Sequence, residues 1–168
     1  MAHDNMVALP ERYSVRHARD QDAQAILALI AACDHSFGVE SGGYSELDIR
    51  EGWSNLDQER DTWAVIAPDG GLAAYGEVTD QGYGKIVADG YVHPDHRGKG
   101  LGTMLARRIE ARARELVDAA PAHAQVTLFN GVLLVDQAAR DLLTRDGYDV
   151  ARTFWEMRIA LSEQPALP

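Results

Sequence analysis

Apolar residues recur along this chain with two periods, and the switches between them mark its elements. Residues 13–17 read as a short strand, after which Asp20 can cap a helix whose apolar positions Ala23, Ile26, Leu27 and Ile30 fall on one side. Ser45, with Asp48 three residues on, opens a second short helix that sets Ile49, Trp53 and Leu56 on one face. Strand-like runs follow at 62–67, 72–79 and 83–92, parted by the turn sequences Pro68-Asp69-Gly70-Gly71 and Asp80-Gln81-Gly82. Connections that short make antiparallel neighbours. A helix of about seventeen residues follows Gly100, burying Leu101, Met104 or Leu105, Ile109 and Leu116, and 124–129 supplies another strand. A strand–helix–strand unit of this kind is parallel and right-handed. The pattern predicts an α/β fold: one mixed sheet, antiparallel first and parallel later, with helices on both faces. It fills 13–161 as a single domain and leaves 1–12 and 162–168 as loose termini.

The junction between the last antiparallel strand and the long helix carries the most chemistry. It reads Tyr91-Val92-His93-Pro94-Asp95-His96-Arg97-Gly98-Lys99-Gly100-Leu101-Gly102-Thr103. A helix starting near Gly100 presents unpaired N–H groups and a partial positive charge, so Arg97 and Lys99 stand where carboxylates would be favoured. Two cations there fit an anion held between them. Gly98, Gly100 and Gly102 remove the side chains that would keep a phosphate from those N–H groups. The spacing G-K-G-L-G is neither the dinucleotide-binding G-x-G-x-x-G nor the P-loop pattern.

Charge sharpens this picture. The chain of 168 residues has a formal net charge of −10, which argues against a nucleic-acid partner, yet residues 97–114 hold six basic residues against one acidic. A basic island in an acidic protein fits a polyanionic ligand bound at one place, with Arg107, Arg108, Arg112 and Arg114 read as a solvated helix face. Cys33 is the single cysteine, so no internal disulfide forms and a reducing, cytoplasmic setting is expected. The N-terminal residues lack an apolar signal-peptide core, and no run approaches membrane-spanning length.

Taken as R-x-x-G-x-G behind a Val92-His93-Pro94 strand end, the junction resembles the acetyl-coenzyme A loop of the GNAT N-acetyltransferase superfamily. A second block is similar to that superfamily's closing helix and strands: Asp136-Gln-Ala-Ala-Arg-Asp-Leu-Leu-Thr-Arg-Asp-Gly-Tyr, then Arg152-Thr-Phe-Trp-Glu-Met-Arg-Ile-Ala-Leu. Residues 46–77 and the closing block also bear a weak similarity to the domains of mycothiol synthase, which carries two. The resemblance implies splayed parallel strands, with main-chain groups of Tyr91, Val92 and His93 offered to the pantetheine arm and acetyl carbonyl. Arg97, Gly98, Lys99, Gly100, Leu101, Gly102 and Thr103 would hold the pyrophosphate of acetyl-CoA, a co-substrate, and no metal is implied.

Such a reaction needs a base, because an amine with a pKa near roughly 10.4 must lose a proton before it attacks the thioester. Asp89 and Glu77 are the candidates, and Gly90 could mark a bulge that re-aims its neighbours. Many superfamily members place a tyrosine acid where this chain has Leu143, so Tyr148, water or no acid at all remain open. Residues 34–61 hold eight acidic and two basic residues together with Phe37, Tyr44, Trp53 and the Asp34-His35 pair. Such a wall would attract a small cationic amine, and it also reads as surface charge around a buried tryptophan. The expected function is acetyl transfer from acetyl-CoA to a primary amine of a small cationic or polar molecule, by direct attack in a ternary complex. A catalytically silent acyl-CoA-binding module, to which Leu143 points, and an enzyme acting on a protein amine stand as alternatives. Dimerisation is common in the superfamily, which admits a homodimer, but no interface is legible.

Overall fold

The computed structural model describes residues 9–40, 43–118, 120 and 123–155. Strand β1 (Ser14–Arg16) leads into helix α1 (Ala23–Ser36), followed by α2 (Glu46–Trp53) and the single turn α3 (Gln58–Asp61). Strands β2 (Thr62–Ile66), β3 (Leu72–Asp80) and β4 (Lys85–Val92) come next, then α4 (Leu101–Asp118), β5 (Thr127–Asn130) and α5 (Gln137–Arg145). The strands lie in the order β1-β2-β3-β4-β5, antiparallel up to β4, while β4 and β5 run parallel. This is the mixed sheet that the hydrophobic pattern predicts.

Alternation along β3 and β4 gives the sheet two distinct faces. Ala74, Val78, Ile86 and Ala88 turn one way and pack with Leu101, Met104, Leu105, Ile109 and Ala113 of α4. Tyr75 and Tyr91 turn the other way, toward Ile26, Leu29, Ile30 and Cys33 of α1 and Trp53 of α2. Helices therefore cover both faces. Gly76 lets α4 come close, since a Cβ there would stand 3.1 Å from Leu105 Cδ2.

Local chemistry departs from the sequence reading at several points. Asp22, not Asp20, holds the N-cap position of α1, and its carboxylate reaches back rather than capping the helix: it accepts from the Arg19 N–H at 2.8 Å and pairs with the Arg16 guanidinium at 2.5 and 2.7 Å. The Ser45 and Asp48 capping box forms as predicted. No bulge occurs at Gly90, because the β3–β4 register runs without a break from Ala74↔Val92 to Asp80↔Ile86; the irregularity lies between Val65 and Ile66 of β2. Arg112 is not on a solvated face. Its side chain is 12% exposed and binds Asp61 at 2.7 Å, tying α4 to α3. Leu9 packs against the α4-side core, so packing begins ahead of residue 13. Of the closing strands expected over 152–161, residues 156–161 lie outside the described residues, as do 1–8 and 162–168.

One contact fixes where the parallel strands start. Gly84, with φ +75°, sits so close to the incoming chain that a Cβ would stand 2.2 Å from Gln125 O, and its carbonyl accepts the Thr127 N–H at 2.8 Å. A left-handed backbone and a clash against main chain cannot both be relieved by side-chain movement. Gly84→Ala is expected to cost about 2–3 kcal/mol, lowering the melting temperature by roughly 5–10 °C in a thermal melt.

Candidate active site

The pairing of β5 with β4 runs from Lys85↔Thr127 to Ala88↔Asn130 and goes no further, so Asp89 to Val92 lack a strand partner on that side among the described residues. Which main-chain groups this exposes follows from the other ladder. His93 N–H donates to Ala73 O at 2.9 Å, and antiparallel pairs alternate, so Tyr91 opposite Tyr75 also turns its main chain toward β3. Gly90 and Val92 turn theirs to the open edge. Of the three residues expected to offer main chain, Val92 alone does so, joined by Gly90, which the sequence reading did not include. The Val92 carbonyl accepts from Cys33 Sγ at 3.3 Å.

Beyond Val92, His93 caps a short turn over Pro94–His96, its Nδ1 accepting from the Asp95 N–H at 3.3 Å. Gly98 and Gly100 then adopt φ +75° and +80°, conformations that aim successive N–H groups in one direction. The first N–H to bond within α4 is that of Met104, to Gly100 O at 3.0 Å. Those from Gly98 to Thr103 find no acceptor among the described residues. They form a row of donors at a helix mouth, which is an anion-binding arrangement.

The two cations flank this mouth rather than fill it. Arg97 donates to Ser36 Oγ at 2.9 Å and lies over the Phe37 ring at 4.5 Å, anchored to the end of α1. Lys99 Nζ donates to Tyr13 Oη and to Asp95 O, both at 3.1 Å, and Tyr13 Oη donates to His96 Nδ1 at 2.8 Å. Lys99 Nζ, which can only donate, also lies 3.3 Å from that Nδ1 and so makes it an acceptor, while burial and the Lys99 charge push His96 below its ordinary value.

Glu77 and Asp89 are brought together. They face each other across the β3–β4 ladder on the α1 side, with Tyr75 and Tyr91 as the adjacent pair. Both carboxyls are half-buried. Burial pushes Glu77 up, Tyr75 pulls it back through a hydrogen bond, and the Asp89 charge adds to the rise. Asp89 is raised by burial alone and makes no hydrogen bond among the described residues. Trp53, buried at 5% exposure, donates from Nε1 to Tyr75 Oη at 2.8 Å, so the tryptophan of the expected acceptor wall belongs to the core. Tyr91 is raised first by burial and then by the negative fields of the neighbouring carboxylates, Asp89 foremost and Glu77 and Asp34 after it.

Tyr148 lies elsewhere. Its hydroxyl is buried without a hydrogen bond, burial pushes it up to about 12, and Glu110, Asn130 and Arg114 are its neighbours. Asn130 is level with Ala88 on the α4 face, so the sheet stands between Tyr148 and the two carboxylates. No group of three or more His, Cys, Asp or Glu suited to a metal occurs among the described residues, and no helix there is long and apolar enough to cross a membrane.

Known proteins share this architecture. The profile of the acetyltransferase (GNAT) family matches residues 15–148. A GCN5-related N-acetyltransferase from Sphaerobacter thermophilus is 37% identical, with a TM-score of 0.76, over 84% of this chain; the chain spans only 45% of that protein. A GCN5-related N-acetyltransferase from Kribbella flavida is 23% identical with a TM-score of 0.58, the match covering 86% and 87% of the two chains. A phosphinothricin acetyltransferase from Sinorhizobium meliloti, in complex with acetyl-CoA, is 15% identical with a TM-score of 0.62 over 81% and 74%. Among curated proteins none matches. The chain belongs to the GNAT acetyltransferase family.

A carboxyl raised by burial binds protons more tightly in the folded state than in the unfolded one, so its contribution to stability falls as pH rises toward its folded pKa. Asp89→Asn removes this penalty. The variant is expected to melt above the parent at pH 8, with the gain shrinking as the pH is lowered to 5.

Proposed function

We propose that this chain transfers an acetyl group from acetyl-CoA to a primary amine of a small cationic molecule. The observation that carries the reading is the row of unpaired N–H groups from Gly98 to Thr103, continuous with the open β4 edge and ending beside two desolvated carboxylates. The N–H groups of Gly98, Lys99, Gly100, Leu101, Gly102 and Thr103 would take the diphosphate, with Arg97 adding its charge from the α1 side. Gly90 and Val92 would take the pantetheine amide and the thioester carbonyl on their outward main chain, the N–H donors stabilising the oxyanion.

The acceptor is bound between α1 and the sheet. Asp34, Tyr44, Tyr91, Asp89 and Glu77 set negative and aromatic groups around one space, which favours an ammonium ion. The ammonium loses a proton to Glu77 or Asp89, nitrogen attacks the thioester carbon, the C–S bond breaks, and coenzyme A leaves as the thiolate, which takes up the second proton that the nitrogen sheds as the amide forms. Tyr148 is not needed as an acid. A phenol pushed up to about 12 would protonate a thiolate whose thiol titrates near ~8.5 at an uphill cost of about 5 kcal/mol. Tyr148→Phe is expected to keep turnover within about twofold of the parent, measured as coenzyme A thiol release.

Asp89 favours an enzyme over a silent acyl-CoA module. A half-buried carboxyl without a structural partner costs stability, and a site that only binds gains nothing from it. Thiol release from acetyl-CoA across a panel of diamines, amino acids and peptides tests the reading, small cationic amines being the expected acceptors. Glu77→Gln and Asp89→Asn should lower turnover, the dominant base by about 10²–10⁴-fold. Activity on peptides alone would move the assignment to a protein acetyltransferase.

Gly102 offers a direct test of the anion mouth. It occupies the second position of α4, where an aspartate suits the helix dipole but places a negative charge at the diphosphate. Gly102→Asp should fold with an unchanged or higher melting temperature. It should lose the rise that saturating acetyl-CoA gives the parent, a rise worth about 2.7 kcal/mol at a hundredfold excess over Kd. An unchanged response would remove the diphosphate from this mouth.

A further inference from the structure

We propose that Trp53 and Tyr75 are positioning residues for Glu77, forming a one-directional donor chain from α2 through the core to the carboxylate that accepts the amine proton. The proposal rests on Glu77 serving as a base in the transfer reaction. The direction of the chain is fixed by chemistry. An indole has one N–H and no acceptor, so across the 2.8 Å contact Trp53 Nε1 donates and Tyr75 Oη accepts. The phenol proton is thereby directed to Glu77 Oε2, with which Tyr75 makes a short hydrogen bond. A hydrogen bond received at Oη makes the phenol a stronger donor in turn.

Both anchors are rigid. Trp53 is 5% exposed and Tyr75 2%, packed in the cluster with Ile26, Leu29 and Ile30 of α1. Burial and the charges of Glu77 and Asp89 hold the Tyr75 phenol far above its ordinary value, so it remains a donor throughout the working pH range. At Glu77, opposing influences meet. Burial and Asp89 disfavour the carboxylate, whereas the hydrogen bond from Tyr75, itself backed by the Trp53 N–H, favours it. The pair thus offsets part of the cost of burying the carboxylate and fixes its carboxyl group. It also links α2, which carries Trp53 as its last residue, to the chemistry on β3.

Tyr75→Phe deletes one oxygen from a packed ring, and Trp53→Phe removes the head of the chain. In pH profiles of kcat/KM with one fixed acceptor, the acid limb that belongs to Glu77 is the one missing from Glu77→Gln. That limb should move up by about one pH unit in Tyr75→Phe, and by less in the same direction in Trp53→Phe. Carbon-13 NMR titration of the Glu77 carboxyl in the ligand-free protein should show the same displacement, independent of turnover. A Tyr75→Phe protein that folds and loses turnover while its limb and carboxyl midpoint stay where they were would overturn the proposal, leaving Tyr75 a packing residue. If Glu77→Gln retains the limb, the base assignment itself falls, and the two failures are told apart.

Discussion

The site depends on one interruption in main-chain pairing. β4 and β5 run together for four residue pairs and then part, so the half of β4 that leads to the loop has hydrogen-bonding groups with no strand to receive them among the described residues. Unpaired edges are normally blunted or covered, because an orphaned backbone group is costly when buried and sticky when exposed. Here the edge is continuous with a helix mouth whose first N–H groups are equally unpaired. Edge and mouth together make a track of donors and acceptors suited to an extended ligand with amides along its length and a diphosphate at one end. Gly84, clamped against residue 125, holds the strands together at the far end and so confines the gap to the loop end.

The two faces of the sheet divide the work. The α4 face is a closed apolar core, and Gly76 allows the helix to lie tight against β3. The α1 face is where polar groups are gathered: Trp53, Tyr75, Glu77 and Asp89 lie on it, and Cys33 reaches the Val92 carbonyl from α1. Desolvated carboxylates there cost stability, and Arg16–Asp22 and Arg112–Asp61 are paired ions that secure α1 and α3 around them. Anchoring around a desolvated polar centre is the arrangement that preorganised chemistry requires.

Arg97 and Lys99 illustrate how a correct charge argument can miss geometry. Their sequence position places positive charge at the mouth, and the fold keeps it there. Their side chains are spent on Ser36, Phe37, Tyr13 and Asp95, which rigidifies the loop and leaves the main-chain N–H groups as its inner surface. Leu142 closes the other side, 3.5 Å from where a Gly102 Cβ would be. The mouth is thus walled by apolar and tethered groups, and its free donors are those of the backbone.

Periodicity, turn chemistry and the glycine spacing determined the order and type of the main elements, the antiparallel-to-parallel switch and the glycine-rich turn into α4, because each rests on residues near one another in the chain. The Ser45 capping box and the buried side of α4 were legible for the same reason. Tertiary structure decided what depends on facing partners. Glu77 and Asp89 become a pair only through the β3–β4 register, which no local pattern sets when both flanks of a strand are polar. The outward main chain of Gly90 and Val92 follows from the hydrogen-bonding parity of the ladder, and the burial of Arg112 from Asp61 lying fifty-one residues away. Trp53 reaches Tyr75 across two layers of the fold. A chain read residue by residue carries its short-range free energies in plain view; which polar groups are stripped of water, and by whom, is settled only when distant segments close around them.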